Sequence, residues 1–201
     1  MLPRKIYQDY RVGFCFWILQ VIIVLSLASV VVWLSLRPKC PTYTIVDAYI
    51  PALDVKSATS HENSETSRNN SLFFSLEIRN PNKGIGIYYD EINLSVYYGD
   101  AVIGLSSVFS FYQGHRKTAR REVRLNADLQ FLRDVSRAVS SQGSVDLRVG
   151  LAAAIRFKIF SSKTKHQNME LQANLQVGSD GKLVGENKKL LNTLEQPKAG
   201  H

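Results

Sequence analysis

From residue 12 to residue 36 the chain carries no charged side chain, and this run constrains the fold more than any other feature. At about 1.5 Å of rise per residue, a helix over residues 12–36 is roughly 37 Å long, more than the roughly 30 Å hydrocarbon core of a bilayer. Trp17 and Trp33 stand near its two ends, where amphipathic rings favour the headgroup layer. Its distinctly polar members are Gln20, Ser26, Ser29 and Ser35. A helix satisfies serine hydroxyls with its own backbone, whereas Gln20 is suited to facing a partner helix. A cleaved signal peptide is the competing reading, because Ser26-Leu27-Ala28 has the small-x-small form of a cleavage site. The apolar run continues past it through Val30-Val31-Val32-Trp33-Leu34, beyond a signal h-region of about 7 to 15 residues. That favours a retained transmembrane helix in contact with membrane lipids.

Arg4, Lys5 and Arg11 precede the run, and Arg37 and Lys39 follow it. The slight excess of basic residues on the N-terminal side puts residues 1–11 in the cytosol. Two glycosylation sequons, at Asn69 and Asn93, are usable only if the C-terminal part is translocated, and they favour an external domain. Cys15 lies within the run and Cys40 just beyond it, too far apart along one helix for a disulfide between them. Cys15, near the cytosolic end, has the position of a palmitoylation site. Cys40 either stays unpaired or, in an oxidising compartment, pairs with Cys40 of a second copy to form a homo-oligomer. At 201 residues the chain has room for an anchor and one ordinary domain of roughly 100 to 200 residues.

After Pro38 and Pro41 stop the helix, residues 43–49 read as a first strand. Residues 56–71, rich in Ser, Thr, Asn and Glu, read as a long exposed loop. Leu72, Phe74, Leu76 and Ile78 alternate with Phe73, Ser75, Glu77 and Arg79, the period of a half-buried strand. Alternation returns at Ile92, Leu94 and Val96, and a further strand is expected over 101–112, with Gly99-Asp100 as the turn. Leu129, Leu132, Val135 and Val139 fall instead at helical spacing, with Asn126 or Asp128 as N-cap and Gly143 beyond the end. Residues 145–159 alternate again and predict a long strand bulged near Gly150; residues 169–177 predict a last one. Several half-solvated strands joined by turns fit an antiparallel β-sandwich of the immunoglobulin or fibronectin kind, with one short helix, over residues 43–178. Residues 179–201 read as a polar tail.

The residue set offers no catalytic constellation. His61, His115, His166 and His201 are scattered without ligand spacing, and no G-x-S-x-G elbow occurs. Gly84-Ile85-Gly86 lacks the third glycine and following helix of a dinucleotide site. The chain is therefore read as non-enzymatic, with no cofactor and no metal. In the segment Asn80-Pro81-Asn82-Lys83-Gly84 a turn accounts for every residue: Pro81 fixes φ, the asparagines bond nearby backbone and Gly84 admits positive φ. Tyr88 and Tyr89, if they lie in a strand, divide between core and surface. The run His115, Arg116, Lys117, Arg120, Arg121 and Arg124, with a net charge of +8, is either a solvated face or an anion-binding patch. A membrane anchor turns that patch away from nucleic acid and toward acidic lipids or carboxylated cell-wall polysaccharides, with salt-sensitive binding.

Leu34-Ser35-Leu36-Arg37-Pro38-Lys39-Cys40, Tyr49-Ile50-Pro51-Ala52-Leu53, Asn80-Pro81-Asn82-Lys83 with Gly86-Ile87-Tyr88-Tyr89-Asp90, Phe111-Tyr112-Gln113-Gly114-His115 and Ile155-Arg156-Phe157-Lys158-Ile159 together resemble a plant membrane-protein family. It is that of the non-race-specific disease resistance and harpin-induced-like proteins. The resemblance runs from about residue 34 to residue 178. It implies a late-embryogenesis-abundant group 2 domain, a β-sandwich with one helix, held at the plasma membrane and active in defence through contacts with immune-signalling proteins. Some relatives end in a hydrophobic tail exchanged for a glycolipid; residues 190–201 are polar here, so anchoring falls to the N-terminal helix. The rival expectation is a module that binds lipid or protects membranes and cell wall under water stress.

Overall fold

The structure, a computed structural model, describes residues 4–35, 37–54 and 70–192. Asn69 and nearly all of the loop expected over 56–71 lie outside these residues, as do His61 and His201. The chain forms two units, Met1–Pro38 and Lys39–His201.

The first unit is one helix, α1 (Arg4–Ser35). Residues 4–12 contain neither proline nor glycine, so helix extends back through most of the segment expected as a tail. Gly13–Leu34 is long and apolar enough to cross a membrane, and none of it is buried within the protein. The hydroxyl of Ser26 donates to the carbonyl of Ile23 at 2.8 Å, the intrahelical satisfaction that an apolar medium demands.

The second unit is built from β1 (Thr42–Tyr49), β2 (Ser71–Arg79), β3 (Gly86–Tyr98), β4 (Ala101–Val108), β5 (Phe111–Gln113), β6 (Thr118–Asn126), α2 (Leu129–Gln142), β7 (Ser144–Ile159), β8 (Ser162–Lys163), β9 (Gln167–Gly178), β10 (Lys188–Lys189) and β11 (Leu191–Asn192). All pairings are antiparallel. One sheet runs β10-β1-β2-β6. The other runs β11-β9-β7-β3-β4, with β5 also on β3 and β8 on β7. Alternate residues of each sheet point inward into one core: Tyr43, Ile45, Phe74, Leu76 and Val123 from the first, Ile87, Tyr89, Leu94, Val149, Phe157 and Leu175 from the second. Each large side chain so buried contributes about 1.5–3 kcal/mol relative to exposure. This is the mainly β, antiparallel architecture that the alternation predicts.

The N-cap of α2 is Asp128, which accepts from the Gln130 N–H at 3.0 Å, and Gly143 closes the helix at φ 77°. Leu132, Val135 and Val139 face the core, and Phe131 meets Tyr98 edge-on at 5.4 Å.

Three expectations need correction, and two strand segments lie beyond what the alternation predicts. β3 begins at Gly86, well before Ile92. The strand expected over 101–112 is two, β4 and β5, broken at Phe109-Ser110 where β3 bulges between Tyr89 and Glu91 against β7. The bulge expected in β7 near Gly150 is absent; pairing with β9 is unbroken, and Gly150 instead makes room for the Tyr97 ring, 3.2 Å from where a Cβ would sit. Residues 118–126 form a full strand, β6, registered along β2. The segment after Gly178, expected as a tail, folds back: Lys182 bridges to Tyr49 and Leu183 to Val177. β10 then joins β1 and β11 joins β9, with Leu190 buried between them.

Candidate recognition surface

The chain passes between sheets at β2–β3 and again at β5–β6, and the two crossings meet at one end of the sandwich. Asn80 links them. Its side-chain amide donates to the carbonyls of Ile85 (2.9 Å) and Gly114 (3.1 Å), its carbonyl oxygen accepts from the backbone and side chain of Asn82 (3.0 and 2.9 Å), and its backbone N–H donates to Lys117 (3.0 Å). Asn82 in turn accepts from the Lys39 N–H (2.7 Å) and donates to the Lys39 carbonyl (2.8 Å). Gln113 donates to Ile78 and Lys117, each at 2.9 Å, and accepts from the Tyr89 hydroxyl at 2.8 Å. Asn80, Asn82, Gln113 and Tyr89 are all buried, and burial raises the Tyr89 phenol above its ordinary range. Buried polar groups this completely bonded rigidify a fold. The asparagine motif is thus a turn, as expected, that also locks the two crossings together, and Gly84 does not use positive φ.

The basic run does not form one patch. His115, Arg116 and Lys117 occupy the β5–β6 turn, where Arg116 takes φ 54° and donates its N–H to Asn82 at 3.0 Å. Arg120 pairs with Glu77 at 3.0 Å. Arg121 lies 4.6 Å over the Phe111 ring, and Arg124 bonds Ser71 at 2.9 Å and lies 5.8 Å over Phe73. The strand alternation sends Arg121 to the opposite side from Arg120 and Arg124, and Glu122 separates those two. Asn93 sits half-buried on the outer side of β3 with its amide bonded to Glu91 at 2.7 Å. Cys15 and Cys40 are exposed and free.

A different cluster, scattered in the sequence, gathers on the outer face of the second sheet. Tyr112, Tyr88 and Arg156 form one cross-strand row, and Gly86, Lys158 and Lys163 the next. The Tyr88 and Tyr112 rings meet at 4.7 Å and 42°. Lys163 lies 4.3 Å over Tyr88 and Lys158 lies 5.5 Å over Tyr112. Asp90, turned outward at the bulge, accepts from both Nε (2.7 Å) and an Nη of Arg156, and His166 stands 3.4 Å away. The bond to Arg156 holds the Asp90 carboxyl below the usual carboxylate range; burial opposes it, and the charges of Arg156, His166 and Lys163 add to the lowering. A short loop at Phe160-Ser161 after Lys158 would have suggested the Lys158–Lys163 pairing; nothing local links either lysine to the tyrosines.

Comparison with known proteins agrees with this architecture. The model of the late embryogenesis abundant protein family matches residues 75–173. Protein NDR1 of Arabidopsis thaliana is 35% identical over 179 residues, which cover 83% of this chain and 76% of that protein. NDR1/HIN1-like protein 3 of Arabidopsis thaliana is 31% identical over 172 residues, 80% of this chain and 69% of that one. With its N-terminal apolar helix and antiparallel β domain, the chain belongs to the NDR1/HIN1-like family of late embryogenesis abundant proteins.

Proposed function

We propose that this protein is a non-enzymatic, single-pass plasma-membrane protein that supports plant defence signalling through protein contacts. In this reading residues 1–11 are cytosolic, residues 12–36 span the bilayer and the sandwich is external. The observation that carries it is an uncharged helix with its side chains exposed from Gly13 to Leu34, joined to a domain of the family whose name refers to disease resistance. Water would not tolerate that much contiguous apolar surface, whereas a bilayer requires it. The N-terminal segment and the outer faces of the sandwich are the surfaces left for partners. Gln20, beside Trp17, Val21, Val24 and Leu25 in a shallow groove on the helix, suits helix–helix pairing between copies. The test is a knockout plant challenged with bacteria that trigger immune receptors. Reduced resistance, restored by the full chain but not by a chain lacking residues 12–36, is the expected outcome; unchanged resistance in the knockout would overturn the reading.

A further inference from the structure

Lys158 and Lys163 are direct cross-strand partners, and like charges placed opposite one another in a sheet are destabilising. A nearby carboxylate usually relieves such a pair. Asp90, beside Tyr89 at the bulge, is engaged by Arg156 and His166 and feels the Lys163 charge only at longer range, and among the described residues neither lysine makes an ion pair. Each ammonium rests instead over a tyrosine ring. Tyr112 leans across Gly86, where a Cβ would come within 2.3 Å of its hydroxyl oxygen, and is still 49% exposed. The outcome is an open, aromatic-floored face carrying two cations that make no ion pair among the described residues.

We infer that this face binds an acidic polysaccharide, a chain of uronic acids, with its carboxylates on Lys158 and Lys163 and its sugar rings on Tyr112 and Tyr88. A uronate supplies both complements at once: an edge carboxylate for the ammonium and a C–H-rich ring face for the aromatic surface. A bare phosphate would answer the lysines alone and leave the rings unused. The openness of the face suits an extended polymer, because small ligands are normally held in clefts that enclose most of their surface. The cations over the rings are weakly held, about 0.5–1 kcal/mol each at exposed sites, so they can turn toward a carboxylate. The site lies on the other sheet from Arg120 and Arg124 and does not depend on the proposed defence role.

The test uses the full chain in nanodiscs of neutral phosphatidylcholine, titrated with decagalacturonate, its fully methyl-esterified form and a polyglutamate of matched charge. Decagalacturonate is expected to bind at least about tenfold more tightly than either control. The Lys158→Gln, Lys163→Gln double variant should lose at least about tenfold in affinity and flatten the salt dependence. Tyr112→Ala should also weaken binding, while Arg120→Gln, Arg124→Gln should not. Both lysines are at the surface of the sheet and their opposed charges are relieved in the variant, so a thermal midpoint that does not fall is expected; Lys163→Gln alone, in the exposed two-residue β8, serves if the double variant is unstable. No binding, equal binding of polyglutamate or of the ester, or full affinity in the lysine variants would overturn the assignment.

Discussion

Asn80 donates to carbonyls on two separate chain crossings while accepting from Asn82, so its loss leaves several buried groups unpaired at once. Each such group costs about 1–3 kcal/mol. Asn80→Ala should therefore lower the urea unfolding midpoint by an amount equivalent to about 2–4 kcal/mol. Asn80→Asp should be at least as damaging, because a carboxylate would face the Ile85 and Gly114 oxygens with no donor to offer. Asp90 makes the opposite kind of contribution, on the surface and dependent on pH. Its folded-state pKa lies below the unfolded value of about 3.9, so the stabilisation is complete above that value and is lost as pH falls through the depressed one. The urea midpoint of the parent protein should exceed that of Asp90→Asn from about pH 5 to 7 and converge on it below about pH 4. The margin should be about 1 kcal/mol or less, as for other surface pairs.

At the scale of elements, the segment from Lys188 to Asn192 acts as a strap. β10 extends the first sheet, β11 extends the second, and Leu190 between them is 3% exposed with its N–H bonded to the Tyr43 carbonyl at 3.0 Å. Leu190→Ala should cost about 2–5 kcal/mol in chemical unfolding, more than any exposed leucine of the same region. Nothing in the sequence announces this strap, because two-residue strands have no period to read and Lys188 and Lys189 are exposed. β7 and α2 were legible for the converse reason: one has a long clean alternation, the other a capping aspartate and a terminal glycine. β6 was hidden behind consecutive charges at Arg120, Arg121 and Glu122, since an edge strand needs few inward apolar residues and here has Val123 and Leu125. The turn character of the Asn80 motif was readable locally, but its bonds to Lys39 and Gly114 depend on tertiary pairing. The Tyr88, Tyr112, Lys158 and Lys163 face was illegible for the same reason.

For the whole molecule, the proposed reading gives the two units different surroundings, one lipid and one water. If the sandwich is external, Asn93 reaches the glycosylation machinery before β3 is fully paired, and Asn69 offers a second acceptor in the expected loop. A glycosidase-sensitive mobility shift is expected for the membrane-expressed protein and should vanish in the Asn69→Gln, Asn93→Gln variant; a shift that survives in the variant would point to some other modification. The late position of the strap bears on biogenesis. β1 is among the first strands to leave the ribosome and β9 the last long one, yet the seam between them is closed only by residues 182–192. A nascent domain therefore keeps one apolar side unsealed until residues 182–192 have emerged. A stop before this segment leaves the sandwich open along that seam, its core within reach of chaperones and proteases.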